Sequence, residues 1–203
     1  MSVGRERDRA YEAEIGGSYD SFTDGGESPR IEVRRYTGRP ARSGPVCDIW
    51  VTSGMSDIPM TGDDGTPIRR ELIFYAPPGG DFAQPLATVA RFPAEYSTSL
   101  DHSHSIQMYG AFFLPDGAAA LLSDDPNITL PHLVLMSPLL RHHQRLPDEL
   151  EIDGCPVEFL WVVPISRAEL TMKKRDGMNA LLDVFANNQH PWIFDPERQS
   201  YIG

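Results

Sequence analysis

The chain has 203 residues, 40% of them apolar, and 18 Lys and Arg against 29 Asp and Glu, for a formal net charge of −11. That length suits one domain with a sizeable core, and a mean hydropathy of −0.33 is ordinary for a globular protein. The acid excess argues against nucleic-acid binding, which rests on phosphate neutralisation by Lys and Arg, and no apolar run approaches the ~18 to 20 residues of a membrane span.

Residues 1–28 read as a polar N-terminal segment, with a short helix over about 7–15 and then a Gly-rich loop. It lacks the apolar stretch of a signal peptide, so a cytoplasmic location is expected. Residues 29–203 read as the folded domain. Ile31 and Val33 alternate with Glu32 and Arg34, the pattern of a half-exposed, edge-like strand. The Gly/Pro/Arg-rich residues 37–45 are expected to connect it to the next element.

A more buried strand is expected at 46–53, with Cys47, Ile49 and Val51 on one face and Val46 and Trp50 on the other. Gly62-Asp63-Asp64-Gly65-Thr66-Pro67 is a turn cluster. A strand follows at 70–76, then a helix over 85–92 opened by Pro85. Aromatic residues make 106–113 strand-like, and 115–131 is loop-rich. His132 to Met136 is apolar on both faces, as a central strand requires.

Glu151 to Gly154 forms a turn before a strand at 156–164. Ser166 and Glu169 then form a capping box, each side chain satisfying the other's backbone amide, which starts a helix directly after the strand. The helical stretch 167–187 is in two parts, broken at Gly177. Met178, Leu181, Leu182 and Phe185 form an amphipathic stripe in the second. The predicted fold is therefore α+β (mixed α/β), a single domain with a central mixed sheet flanked by helices.

Catalytic motifs are scarce. Gly54-Met55-Ser56-Asp57-Ile58 follows a strand as a nucleophile elbow does, but Ile58 replaces the second small residue and Pro59 follows. Ser56 is expected in a turn, bonded to nearby backbone, with no helix starting there. His102 and His104 would share one face if extended and could begin a zinc site, but a closed site needs about four ligands. His132, His142, His143 and His190 are scattered, and His142-His143 between Arg141 and Arg145 reads as a solvated basic loop. Asp63-Asp64-Gly65 lacks the regular ligand spacing of a calcium loop. No Gly-rich phosphate loop is present, and no carboxylate pair stands out. Cys47 and Cys155 lie far apart in apolar segments without a CxxC partner and read as reduced core residues.

Five segments in order across residues 46–187 resemble the suppressor-of-fused domain family. Thr52-Ser53-Gly54-Met55-Ser56-Asp57-x-Pro59-Met60 is similar to its T-x-G-M-S-x-x-P-M stretch, and Arg70-Glu71-Leu72-Ile73-Phe74 to the strand after it. Arg91-Phe92-Pro93 with His104, then Leu133-Val134-Leu135 with Pro138, are similar to the middle of the family pattern. Phe159-Leu160 with Val163-Pro164-Ile165-Ser166-x-x-Glu169, Gly177 and Ala180-Leu181-Leu182 match its close.

The resemblance implies a non-enzymatic, protein-binding domain without a cofactor. Animal members are hedgehog-pathway regulators that clamp a peptide, as an added strand, between two lobes. A single-lobe chain is not expected to close that clamp. Bacterial single-domain relatives are instead thought to be immunity proteins that neutralise a cognate toxin, and an acidic surface would steer a basic toxin domain to its encounter. The rival readings are a regulatory scaffold binding an endogenous peptide by strand addition, and a metal-dependent hydrolase built on His102 and His104. The resemblance carries over no catalytic or metal-binding residue, and no motif marks the partner-binding surface or the oligomeric state. Met55, Met60, Leu72 and Trp161 are predicted to pack in the core.

Overall fold

The computed structural model describes residues 3–16, 18–23, 29–40, 46–107, 130–140 and 143–203. In chain order the elements are α1 (Val3–Glu14), β1 (Asp20–Thr23), β2 (Glu32–Pro40), β3 (Val46–Ser53), β4 (Met60–Thr61) and β5 (Pro67–Ala76). They continue with α2 (Ala83–Tyr96), β6 (Ser105–Gln107), β7 (His132–Met136), α3 (Leu146–Glu149) and β8 (Glu151–Ile152). β9 (Cys155–Ile165), α4 (Arg167–Asp176) and α5 (Met178–Asn187) complete the set. The described strands form a mixed sheet in the order β1-β2-β3-β5-β9-β7-β6, with β4 added to β5 and β8 to β9. β5 and β9 run parallel, while the other described pairs are antiparallel.

Side-chain alternation divides each central strand between two cores. Leu72 and Phe74 of β5, Leu160 and Val162 of β9, and Leu133 and Leu135 of β7 share one core with Leu86, Ala87 and Ala90 of α2. Ile73 and Tyr75, Phe159 and Trp161, and Val134 and Met136 face the opposite layer. There Tyr11 of α1, Leu146 of α3, Leu170 of α4 and Phe185 of α5 close the second core. The result is a sheet covered by helices on both faces, so the mixed α/β expectation holds. Met55, Met60, Leu72 and Trp161 are all buried, as predicted.

The capping box forms as read: Glu169 N donates to Ser166 Oγ at 3.1 Å, and Ser166 N to Glu169 Oε2 at 2.8 Å. Gly177, at φ 91°, separates α4 from α5. The enclosed Glu169 carboxylate also receives Arg198 at 2.7 and 2.9 Å. This pair fastens the segment after α5 across the end of the sheet, where Phe194 N donates to Tyr75 O at 2.8 Å. Glu169 has its pKa lowered despite desolvation, which acts the other way, because Arg198 and the backbone amides of Ser166 and Tyr201 bond to the charged form.

Several expectations need correction. The strand holding Val33 is not an edge, since β2 lies between β1 and β3. Arg34 is buried there because Asp8 at 2.6 Å and Glu32 at 2.8 Å pair with it and it lies over the Tyr11 and Tyr19 rings. Residues 37–40 extend β2 rather than connecting it onward. The helix predicted over 85–92 runs from Ala83 to Tyr96 and takes Pro93 into its last turn. There the Pro93 carbonyl accepts from Thr98 N and from Ser97 N, the left-handed cap. Of the strand predicted at 106–113, Ser105–Gln107 is seen, and 108–113 lie outside the described residues, as do the loop residues 115–129. Cys47 is buried, but Cys155 is only half-buried.

Candidate functional site

The stretch from Thr52 to Met60 is held by a buried carboxylate. Glu71, fully enclosed on β5, accepts from Thr52 Oγ1 at 2.7 Å, Gly54 N at 2.9 Å, Ser56 N at 3.1 Å and Ser56 Oγ at 2.6 Å. A buried charge needs a counter-charge as well as hydrogen bonds. Arg7 of α1 provides it at 3.6 Å and also reaches Ser56 Oγ at 3.0 Å and Asp57 at 2.5 Å. Arg69 donates to Ser56 O at 2.6 Å and to Asp153 at 2.8 Å. Tyr11 OH donates to Thr52 O at 2.6 Å, and burial holds that hydroxyl protonated, its pKa well above the ordinary value.

Gly54 makes the bend possible. It sits at φ 120°, and a Cβ there would collide with the Arg30 carbonyl oxygen. A short 3₁₀ turn, Met55–Asp57, follows where no helix was expected. Ser56 does not bond only to nearby backbone: its hydroxyl is locked between Glu71 and Arg7 with no exposed surface. A serine shut in this way cannot reach a substrate. The arrangement is a latch that fixes the loop.

The latch positions a groove of about 460 Å³ between Ile58–Thr61 and the C-terminal half of α2. Met55, Met60 and Ala90 form its buried floor, while Ile58, Pro59 and Ala94 stand exposed at its rim. Leu100 N donates to Met60 Sδ at 3.4 Å, tying the groove's two walls together.

The histidines lie apart from this groove. Residues 101–104 form a turn with Ser103 at φ 67°, not the extended strand that would set His102 and His104 on one face. His104 Nδ1 accepts from Asp101 N at 3.2 Å, and Asp101 itself receives Arg70 at 3.0 Å. Among the described residues no three His, Cys, Asp or Glu side chains are grouped to hold a metal. Asp64 bonds Thr66 within the β4–β5 turn. His143 is not solvated; it stacks on Tyr75 and bonds its hydroxyl at 2.8 Å. His142 lies outside the described residues. His132 is buried, and His190 stacks on Phe185 at 4.0 Å.

Sequence reasoning passed over Glu71, Arg7 and Arg69. The available signal was a charged cluster, Arg69-Arg70-Glu71, running directly into the apolar strand residues 72–76. Among the described residues the buried charged side chains are Arg7, Arg34, Arg69, Arg70 and Arg198 against Asp48, Glu71 and Glu169. The buried arginines are neutralised in place by carboxylates, several of them part-exposed: Asp57 on Arg7, Asp8 on Arg34, Asp153 on Arg69, and Asp101 and Glu158 on Arg70. No described helix is long and apolar enough to cross a membrane.

The family profile described as Suppressor of fused protein (SUFU) matches residues 27–199. No curated protein sequence matches the chain. Among solved structures, a SUFU homologue from Neisseria gonorrhoeae is similar with a TM-score of 0.69 and 13% identity, over 99% of this chain and 97% of that one. The Sufu–Fu complex is similar with a TM-score of 0.62 and 14% identity, over 96% and 89%. Drosophila Suppressor of Fused gives 0.59 and 15%, over 98% of this chain but 50% of that protein. At these identities the likeness is one of fold.

Proposed function

This chain belongs to the suppressor of fused family, and from that premise we propose that it is a non-enzymatic protein-binding domain of immunity type, which sequesters and silences a basic toxin domain. One solved relative is a complex with a protein, Fu, which supports protein binding as the family's mode of action. The observation that carries the toxin reading is the acid excess of the chain, a formal net charge of −11. Asp and Glu outnumber Lys and Arg by 29 to 18, and Asp63, Glu95 and Asp183 are among the exposed carboxylates. Such a surface repels polyanions and speeds encounter with a positive protein. The enclosure of Ser56 supports binding over turnover, because the loop that resembles a nucleophile elbow is spent on structure.

The test is to pull the partner down from the native source and co-express it with this chain. Restored growth and a stable complex whose toxin is inactive are expected. A toxin that stays fully active in the complex, or no toxin bound at all, would overturn the reading.

A further inference from the structure

The groove beside the Glu71 latch has a chemistry that selects its occupant. Its floor is apolar, and no Lys or Arg is among its described lining residues. α2 terminates at it, with Pro93, Ala94 and Ser97 in the wall and no basic residue in the last turn. The C-terminal end of a helix carries partial negative charge and favours a cation. Exposed carboxylates adjoin both walls in the chain: Asp63 and Asp64 follow Thr61 on the β4–β5 turn, and Glu95 follows Ala94, while Asp57 before Ile58 is already paired with Arg7. Two arginines are also next to lining positions. Arg91 is turned inward, its Nη2 enclosed, and Arg30 lies exposed at the Pro29 end.

We infer that this groove is the docking site for a segment of the basic partner that places an aliphatic or aromatic side chain between Lys or Arg residues. The anchor lies on Met55 and Met60, which adapt to irregular shapes. The flanking cations meet the helix end, Glu95 and the Asp63-Asp64 turn. The volume of about 460 Å³ falls within the roughly 300–1,000 Å³ of recognised binding pockets. The latch contributes rigidity: a wall held by buried hydrogen bonds loses little freedom when the partner binds. This assignment rests on the proposed sequestration of a basic protein and names where it happens.

The experiment uses the full chain and two short fluorescein-labelled peptides, one alternating Leu with Lys and its twin alternating Leu with Glu. Anisotropy gives affinities for wild type, Ile58→Arg, Ala94→Arg and Asp183→Arg, the last on α5 at the opposite face of the sheet. Amide chemical shifts map the contact, and thermal unfolding verifies that each variant is folded. Wild type is expected to bind the Lys peptide with shifts confined to 55–61 and 90–99. Ile58→Arg and Ala94→Arg should weaken it by roughly ten-fold or more, while Asp183→Arg leaves it within about two-fold. Shifts spread elsewhere, equal binding of the Glu peptide, or undiminished binding by the folded groove variants would overturn the assignment. A cognate toxin that binds wild type and Ile58→Arg equally would remove the groove and leave the sequestration reading standing. A toxin that does not bind wild type would remove the sequestration reading.

Discussion

Glu71 and Ser56 meet twice through a single oxygen: Glu71 Oε1 accepts both the Ser56 hydroxyl at 2.6 Å and the Ser56 amide at 3.1 Å. One buried carboxylate therefore fixes the loop's side chain and backbone together, and Arg7 balances its charge.

Replacing Glu71 by Ala should cost about 3 to 5 kcal/mol, because it takes from buried Arg7 its enclosed counter-charge, leaving only the half-exposed Asp57, and leaves two amides without an acceptor. Glu71→Gln keeps one carbonyl acceptor and should lose less. The midpoint of urea unfolding measures both variants at constant slope. A Glu71→Ala midpoint equal to wild type would mean the latch contributes nothing.

Gly54→Ala tests the bend itself. An alanine at φ 120° carries strain of about 1 to 3 kcal/mol, and its methyl group meets the Arg30 carbonyl oxygen. The melting temperature should fall, and amide exchange should quicken at Met55–Asp57 before it does in the strands. Equal exchange at both places would argue for global loosening instead.

Trp161, buried on β9 with the Tyr75 ring centroid 5.9 Å away, fills the core under α5. Trp161→Ala should destabilise by roughly 3 to 5 kcal/mol through lost transfer energy and the cavity left behind. Denaturant melting is the measurement, and an unaltered midpoint would contradict the packing.

His190 links stability to pH. Burial, with the Arg198 charge second, pushes its pKa down to about 4 from 6.5. Between those values the unfolded chain binds a proton that the folded one refuses, so stability is intact above pH 6.5 and falls as pH drops toward about 4. The loss is on the order of 3 kcal/mol at most. Glu169, with a depressed pKa, loses its contribution only at lower pH, on the acid side of the ordinary glutamate value. His190→Gln should flatten the profile between pH 6.5 and about 4.5, measured as urea midpoints across that window. A variant with the wild-type slope would place the dependence on other groups.

Association with a basic partner should slow as salt rises, since charges are screened over about 8 Å at physiological ionic strength. Dissociation, set by short-range contacts, should alter less. Stopped-flow mixing at several salt concentrations separates the two rates. An association rate indifferent to salt would rule out electrostatic steering.

The two-faced strands were legible because alternation is a local property. Cys47, Ile49 and Val51 went to one core and Trp50 to the other, as their spacing dictated. The capping box at Ser166 and the break at Gly177 were equally readable, since each involves atoms within a turn of one another. Arg34 was misplaced because its apparent exposure depended on an edge that β1 covers. His143 was misread for a similar reason: two histidines between arginines look solvated until Tyr75 is brought over one of them.

The same distinction separates what sequence alone determined from what waited for the fold. Period, caps and turn glycines settled the class of fold, because they act over a few residues, and the five segments in order carried the family resemblance. The pairing of Glu71 with Arg7, of Glu169 with Arg198 and of Arg69 with Asp153 joins elements far apart in the chain. A buried charge needs some partner, but which one arrives depends on strand order and on how the helices cross the sheet. Tertiary structure alone therefore revealed that the most family-like stretch is a latch, and that a groove opens between it and the end of α2.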